Sequence, residues 1–163
     1  MYEIGDKIVY PMHGAGTIVD IETKTFMDVE QSFYVIRMPI ASVKIIVPVD
    51  NAENLGVRPV IDREQGNKVI EVLKEDITEM PTKWNQRYRE NLDIIRTGDI
   101  FEIAKVVKNL QVLDQEKGLS TTEKKMLESS KKMIVSELVL IGSLSKEDAE
   151  HIVDEAITLE DEI

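Results

Sequence analysis

The sequence predicts an α+β protein in which a small antiparallel β module precedes an all-helical bundle of about five helices. Within the first 50 residues, short segments rich in β-branched residues recur at spacings of roughly 10 residues, as in a small barrel or sandwich. Beyond residue 59, apolar residues recur at helical spacing after residues that favour helix starts. We therefore place the β module at residues 1–58 and the helical domain at residues 59–163.

Four strands are predicted in the β module, at residues 4–10, 17–23, 33–38 and 43–48. The sequence His13-Gly14-Ala15-Gly16 predicts a tight turn with positive φ after the first strand, and a polar loop is predicted around residues 27–31. A turn or single helical turn at residues 50–54 follows the last strand. The segment Gly56–Pro59 then closes the module.

Five helices are predicted after the β module. Apolar residues mark the first two, at Val69, Val72 and Leu73 and from Trp84 to Ile95. Thr97 and Gly98 end the second helix, since glycine suits the position just after a helix. The other three begin with capping pairs, which are Asp99 with Glu102, Ser120 with Glu123, and Ser145 with Asp148. The fifth helix is predicted to extend through Leu159.

The composition excludes several functional classes. The chain has 163 residues, a formal net charge of −11 and no cysteine, which excludes disulfides, thiolate zinc sites and cysteine nucleophiles. No apolar run approaches the roughly 20 residues that span a bilayer, and residues 1–6 lack the basic and apolar regions of a signal peptide. We therefore expect a cytoplasmic protein with no membrane partner.

The charge is unevenly distributed along the chain. Residues 80–135 carry 11 Lys and Arg against 8 Asp and Glu, whereas the segments on either side are both net acidic. An acidic remainder repels nucleic acid over distances that salt only partly screens. A protein with this distribution needs another macromolecule to deliver its basic segment to DNA.

Motifs for catalysis are absent from the sequence. The glycine-rich segment 13–17 superficially resembles a phosphate-binding loop, but a strand follows it where such loops need a helix N-terminus. His13 and His151 lie in different predicted modules, and the acidic runs 147–148 and 160–162 are typical of a solvated helix and tail. We therefore expect no enzyme activity, no cofactor and no metal site.

The only tryptophan, Trp84, lies among polar and basic residues, with Lys83, Arg87 and Arg89 in the same predicted helical turns. An aromatic plane beside cations can stack on bases or wedge between them while the cations hold phosphates. The alternative is that Trp84 packs over the helix start on a neighbouring element, with the arginines solvated. The pattern makes this segment the first candidate for nucleic-acid binding.

A cationic strip on the fourth predicted helix provides a second candidate contact, formed by Lys124, Lys125, Lys131 and Lys132. Residues seven apart on a helix lie close in angle, so the four lysines share one side. By itself such a strip is usually an ordinary solvated face. Together with the Trp84 segment, it becomes a candidate second phosphate contact.

The chain resembles the CarD-type bacterial transcription regulators, beginning with Gly5–Gly16 (GDKIVYPMHGAG). The resemblance continues through residues 47–53, 56–58, 81–84, 87–88, 114–120 and 123–127. The N-terminal module of that family is shared with the RNA polymerase-interacting domain of the transcription-repair coupling factor. Because the resemblance also spans the helical half, it points to a stand-alone CarD-like protein.

The resemblance implies a Tudor- or SH3-like β module that binds the β subunit of RNA polymerase and a helical domain that contacts promoter DNA. It implies that Trp84 wedges into the minor groove at the upstream edge of the transcription bubble and stabilises the open complex. The implied DNA contacts are weak and mostly independent of sequence. The basic positions that match this role are Arg87, Arg89, Lys124 and Lys125, with Lys83 beside the tryptophan.

On the polymerase side, Lys24 matches a basic contact of the family. The chain departs from the pattern at Ile46, where relatives often carry an arginine before the Val-Pro pair, and this puts one polar polymerase contact in doubt. Lys44 is a candidate to replace it, because residues two apart on a strand lie on the same face.

A protein-only adaptor is the alternative function, in which the β module binds polymerase and the helices recruit a further protein. Trp84 would then be an interface hot spot, since Trp and Arg are enriched at such sites. We expect a monomer, and the sequence leaves open a dimer that exchanges an edge strand of the β module.

Overall fold

The computed structural model describes residues 1–40, 43–142 and 144–158. It confirms the predicted α+β fold, since a five-stranded antiparallel sheet precedes five helices within the described residues. The strands are β1 Lys7–Tyr10, β2 Gly14–Phe26, β3 Val29–Arg37, β4 Lys44–Pro48 and β5 Arg58–Pro59. The helices are α1 Arg63–Lys74, α2 Trp84–Arg96, α3 Ile100–Glu116, α4 Thr121–Gly142 and α5 Lys146–Thr158.

The sheet has the strand order β4-β3-β2-β1-β5, with every neighbouring pair antiparallel. One face of it encloses a small apolar core that includes Ile8, Ile18, Tyr34, Ile36 and Val47. A 3-10 helix at Val49–Asn51 agrees with the predicted helical turn after β4. The last strand, β5, pairs with β1 and carries the sheet to Pro59.

Two turns differ from their predictions. The turn after β1 lies at residues 11–13, so Gly14, Ala15 and Gly16 already belong to β2; the positive φ predicted for this segment is confirmed at Gly14, at +101°, and Met12 also has a positive φ, of +74°. The polar loop predicted at residues 27–31 is wrong, because Met27 and Asp28 alone connect β2 to β3. Their φ values of +49° and +62° are those of a tight type I′ hairpin turn.

The predicted helix boundaries rest on local capping and are largely confirmed. The Asp99 side chain accepts hydrogen bonds from the first turn of α3, and Gly98 before it has a φ of +75°. Ser145 Oγ accepts from the Asp148 amide at 3.1 Å at the start of α5. Leu159 and the acidic run 160–162 lie outside the described residues.

Helix α4 joins the two modules. At its C-terminal half, Ser136 Oγ accepts from the Ala15 amide of β2 at 2.9 Å, and the Leu140 carbonyl accepts from Lys7 Nζ of β1 at 2.8 Å. The remaining length of α4 packs into the helical core against α3 and α5. One continuous helix therefore contacts both the sheet and the bundle.

Candidate nucleic-acid interface and docking face

Trp84 is the first residue of α2 and is 52% exposed. It lies seven and eleven residues before Asn91 and Ile95, which are the buried residues of that helix. These spacings put Trp84 on the same stripe of the helix as its buried residues. Trp84 stays half-exposed because it stands at the end of that stripe, so its ring is neither fully packed nor fully solvated.

Arg87 is held inside the protein by Glu123 of α4. Its Nε and one terminal nitrogen donate to the two Glu123 carboxylate oxygens at 2.7 and 2.8 Å. The other terminal nitrogen donates to the carbonyls of Pro81 and Thr82 at 3.3 and 3.2 Å. The hydrogen bonds to Glu123 raise the pKa of Arg87, against the lowering effect of burial.

This geometry pairs Arg87 with a buried carboxylate, whereas the sequence predicted Arg87 to be a DNA contact. Glu123 is fully buried, and a buried carboxylate needs a cation and hydrogen bonds to be tolerated. The Ser120–Glu123 capping pair forms only in part, because the Glu123 amide donates to Ser120 Oγ while the carboxylate turns to Arg87. In the sequence, the capping pair with Ser120 already explained Glu123. Nothing there indicated that Glu123 also pairs with Arg87.

The remaining predicted DNA contacts, Lys83, Arg89, Lys124 and Lys125, are exposed. The Arg87–Glu123 pair joins the first turn of α2 to the first turn of α4, and it brings the residues around both turns together. We name these residues the Trp84 surface: Lys83, Trp84, Arg89, Lys124 and Lys125. The start of α2 has no side-chain cap and no acidic residue in its first turn, which favours anions there.

The cationic strip on α4 is divided by its neighbours. Lys131 pairs with Asp154 of α5, and Lys132 pairs with Glu128 one turn earlier at 3.3 Å. Within the described part of the chain, neither Lys124 nor Lys125 forms an ion pair. Lys124 and Lys125, at the start of α4, are therefore the lysines of the strip left available for phosphates.

A groove of about 350 Å³ continues from the Trp84 surface between α2 and α4. Tyr88, one turn after Trp84, lines it together with Leu92, Met126 and Lys125. Tyr88 was not among the predicted site residues, although its spacing of four from Trp84 places both rings on one side of the helix.

The three residues predicted to bind polymerase lie on one face of the sheet. Their cross-strand partners on β3 are Gln31 for Lys24, Val35 for Ile46, and Arg37 for Lys44. Because these partners are separated by even numbers of residues, all of them point to the same side. We name Lys24, Lys44 and Ile46 the docking face. Strand β4, which carries two of them, is an edge strand.

An apolar tip at the end of the β2–β3 hairpin was missed by the sequence reasoning. Phe26, Met27 and Val29 are between 64% and 84% exposed. Clustered exposed apolar side chains commonly mark an interaction site. Phe26 of the tip lies two residues after Lys24 in β2, so the tip is next to the docking face. Its signal in the sequence was an aromatic residue, Phe26, directly before a methionine in the segment interpreted as a polar loop.

The described residues provide neither a metal cage nor a helix that could cross a membrane. Across residues 1–40, 43–142 and 144–158, no group of three or more His, Asp or Glu is arranged to hold a metal ion. Among the helices of the same residues, none has the length and apolar character needed to cross a bilayer.

The fold has two modules, a Tudor-like sheet that carries Lys24, Lys44 and Ile46 on one face and a helical domain that carries the Trp84 surface. The family described as "CarD-like/TRCF RID domain" matches residues 2–61, and that described as "CarD, C-terminal domain" matches residues 68–154. The chain is also 39% identical over 146 residues to "Putative transcription factor YdeB" of Bacillus subtilis (strain 168), covering 90% of this chain and 95% of the relative. The chain belongs to the CarD family of transcription regulators, with an RNA polymerase-interacting domain at its N-terminus.

Proposed function

We propose that this protein is a non-catalytic transcription regulator that stabilises the promoter open complex. It binds the β subunit of RNA polymerase through the docking face and places Trp84 in the minor groove at the upstream edge of the bubble. The observation that carries the proposal is the lone tryptophan, half-exposed at a helix start, together with the exposed cations Lys83, Arg89, Lys124 and Lys125, which form no ion pair within the described residues. The family match at residues 2–61 supports polymerase as the partner.

The energy available from such a wedge is sufficient for the effect. An aromatic ring that stacks at the edge of melted DNA contributes roughly 1–3 kcal/mol. That free energy shifts a melting equilibrium by about 5- to 150-fold. The cations of the Trp84 surface hold phosphates and carry no sequence information, so specificity for particular promoters is low.

Polymerase binding compensates for weak intrinsic affinity for DNA. The net charge of −11 repels the phosphate backbone, and the Trp84 surface offers only four cations to offset it. Once the sheet is bound to polymerase, the contact between Trp84 and DNA becomes intramolecular and its effective concentration rises into the millimolar range, about 1 mM for short flexible links.

The experiment that tests the proposal is the dissociation rate of a promoter open complex, measured with a competitor after adding the protein. We expect dissociation to slow by about 5- to 150-fold at saturating protein. An unchanged rate, despite demonstrated polymerase binding, would leave the adaptor function ahead. The apolar groove beside Tyr88 is the feature that favours that second candidate, because a partner helix could bury it.

Replacing Lys24 with glutamate is expected to weaken polymerase binding by at least about 10-fold, because it reverses one of the two positive charges of the docking face. The matched control is Lys68→Glu on α1, an exposed position outside both surfaces, for which we expect an unchanged affinity. Binding to polymerase measured by biolayer interferometry checks both variants. Normal binding by the Lys24 variant would place the docking face elsewhere.

A further inference from the structure

The start of α2 depends on Arg87 for its conformation. The residue before the helix, Lys83, provides no side-chain hydrogen bond to the free amides of the first turn. Arg87, three residues after Trp84, reaches back across that turn and donates to the carbonyls of Pro81 and Thr82. Side chains on a helix lean toward its N-terminus, so this reach follows from the position of Arg87. The backbone directly before Trp84 is thereby tied to the side chain of a residue in the same first turn of α2.

Glu123 in turn holds the guanidinium. Its two oxygens accept from Arg87 in a fork, which fixes the plane of the guanidinium as well as its position. Ser120 Oγ lies 3.3 Å from one of these oxygens and holds the carboxylate from the α4 side. Glu123 is fully buried, and these hydrogen bonds join it to Arg87 and Ser120 rather than to a residue of the Trp84 surface.

We propose that Glu123 is a positioning residue for Trp84, which acts through Arg87 to aim the tryptophan ring out of the start of α2. The inference rests on the proposed wedge function of Trp84. With the fork in place, the Pro81–Trp84 segment has one conformation and the ring enters DNA without further ordering. Without it, Arg87 releases the two carbonyls and the ring samples many directions, so fewer of them fit the bubble edge.

Because Trp84 is the only tryptophan, its fluorescence reports on this one side chain. We expect Glu123→Gln to lower the anisotropy of Trp84 in the free, folded protein, and to shorten the lifetime of the open complex by at least about 5-fold. Polymerase affinity is expected to stay unchanged, since the docking face is on the sheet. The matched control is Glu128→Gln, an exposed position on the same helix, for which none of the three readouts is expected to change.

A double variant separates positioning from stability. Replacing a buried ion pair with apolar residues of similar size is often neutral or stabilising, so Arg87→Met with Glu123→Met is expected to restore the thermal midpoint. Methionine cannot donate to the carbonyls of Pro81 and Thr82. We therefore expect Trp84 to remain mobile and the open complex to remain short-lived in this variant.

Recovery of the open-complex lifetime together with stability would show that the pair only stabilises the fold, and would overturn the proposal. If the double variant does not regain stability, the Glu123→Gln variant decides the question at a temperature well below its thermal midpoint. A Trp84 anisotropy equal to the wild-type value in that variant would also overturn the proposal. The anisotropy measurement needs no polymerase. If the wild-type protein does not slow dissociation of the open complex, the proposed wedge function of Trp84 is wrong. That outcome is distinct from failure of the positioning role, which the anisotropy measurement tests.

Discussion

Replacing Trp84 with alanine is expected to return the lifetime of the promoter open complex almost to its value without the protein, a loss of about 5- to 150-fold. The ring supplies the stacking energy, and alanine has no surface that can replace it. Trp84 is 52% exposed at the end of α2, so the fold loses little of its packing. Polymerase binding is expected to be unchanged, because the docking face lies on the sheet.

Two companion variants make the measurement specific to the aromatic ring. Trp84→Phe keeps a smaller stacking surface and is expected to give an intermediate lifetime. Ile77→Ala removes an apolar side chain of nearly equal exposure, 51%, from a position outside the Trp84 surface, and is expected to have no effect. A full lifetime with Trp84→Ala would contradict the wedge, whatever the two companions show.

Local signals in the sequence were sufficient to place most of the elements. Asp99 and Ser145 begin helices through bonds to amides two or three residues away, and Gly98 supplies the positive φ that ends α2. The hairpin turn was missed because Met27 and Asp28 are not the asparagine–glycine pair that usually adopts this conformation. The sheet tolerates them there because the pairing of β2 with β3 extends along both strands.

The sequence predicted the candidate site only from the types of residue that surround Trp84 and that recur along the fourth helix. A tryptophan without apolar neighbours in the sequence is half-exposed in the fold, and Lys124 and Lys125 are exposed. The sequence could not show that Arg87 forms a buried ion pair whereas Arg89 is exposed. Its partner Glu123 is 36 residues distant, and charge along the chain does not reveal which cation a buried carboxylate takes. That pairing is a property of how α2 packs on α4.

Helix α4 carries two buried glutamates that each hold an arginine from another element. Glu123 holds Arg87 of α2, and Glu137 holds Arg58 of β5. Fourteen residues of helix, at a rise of about 1.5 Å per residue, separate the two by roughly 21 Å. The same helix therefore fixes the Trp84 surface at one end and the sheet at the other.

The link at Glu137 is dense in hydrogen bonds. Its oxygens accept from the two terminal nitrogens of Arg58 at 2.8 and 2.9 Å and from the Ile61 amide at 2.9 Å. Arg58 also donates to the Gly98 carbonyl, at the end of α2, at 3.2 and 3.1 Å. The pair thus joins the last strand, the connection to α1 and the end of α2 at one point.

Replacing Glu137 with alanine is expected to destabilise the protein by roughly 3–5 kcal/mol, because Arg58 and the Ile61 amide lose a buried acceptor. It is also expected to shorten the open-complex lifetime by at least about 5-fold while polymerase affinity stays unchanged. Thermal unfolding, polymerase binding and competitor-challenged dissociation check the three effects. Glu128→Ala, exposed on the same helix, is the matched control.

We expect the open-complex lifetime to change without the polymerase affinity because the lifetime depends on the effective concentration of Trp84 at the DNA. Polymerase binding helps Trp84 only if the ring is held where the DNA is, and a loosened joint spreads the ring over a larger volume. Glu137→Gln keeps one acceptor oxygen and is expected to fall between wild type and alanine, which tests the relation where the alanine variant is too unstable to measure. An open-complex lifetime that stays at the wild-type value in a folded Glu137 variant would mean that polymerase and DNA, rather than α4, set the position of the helical domain.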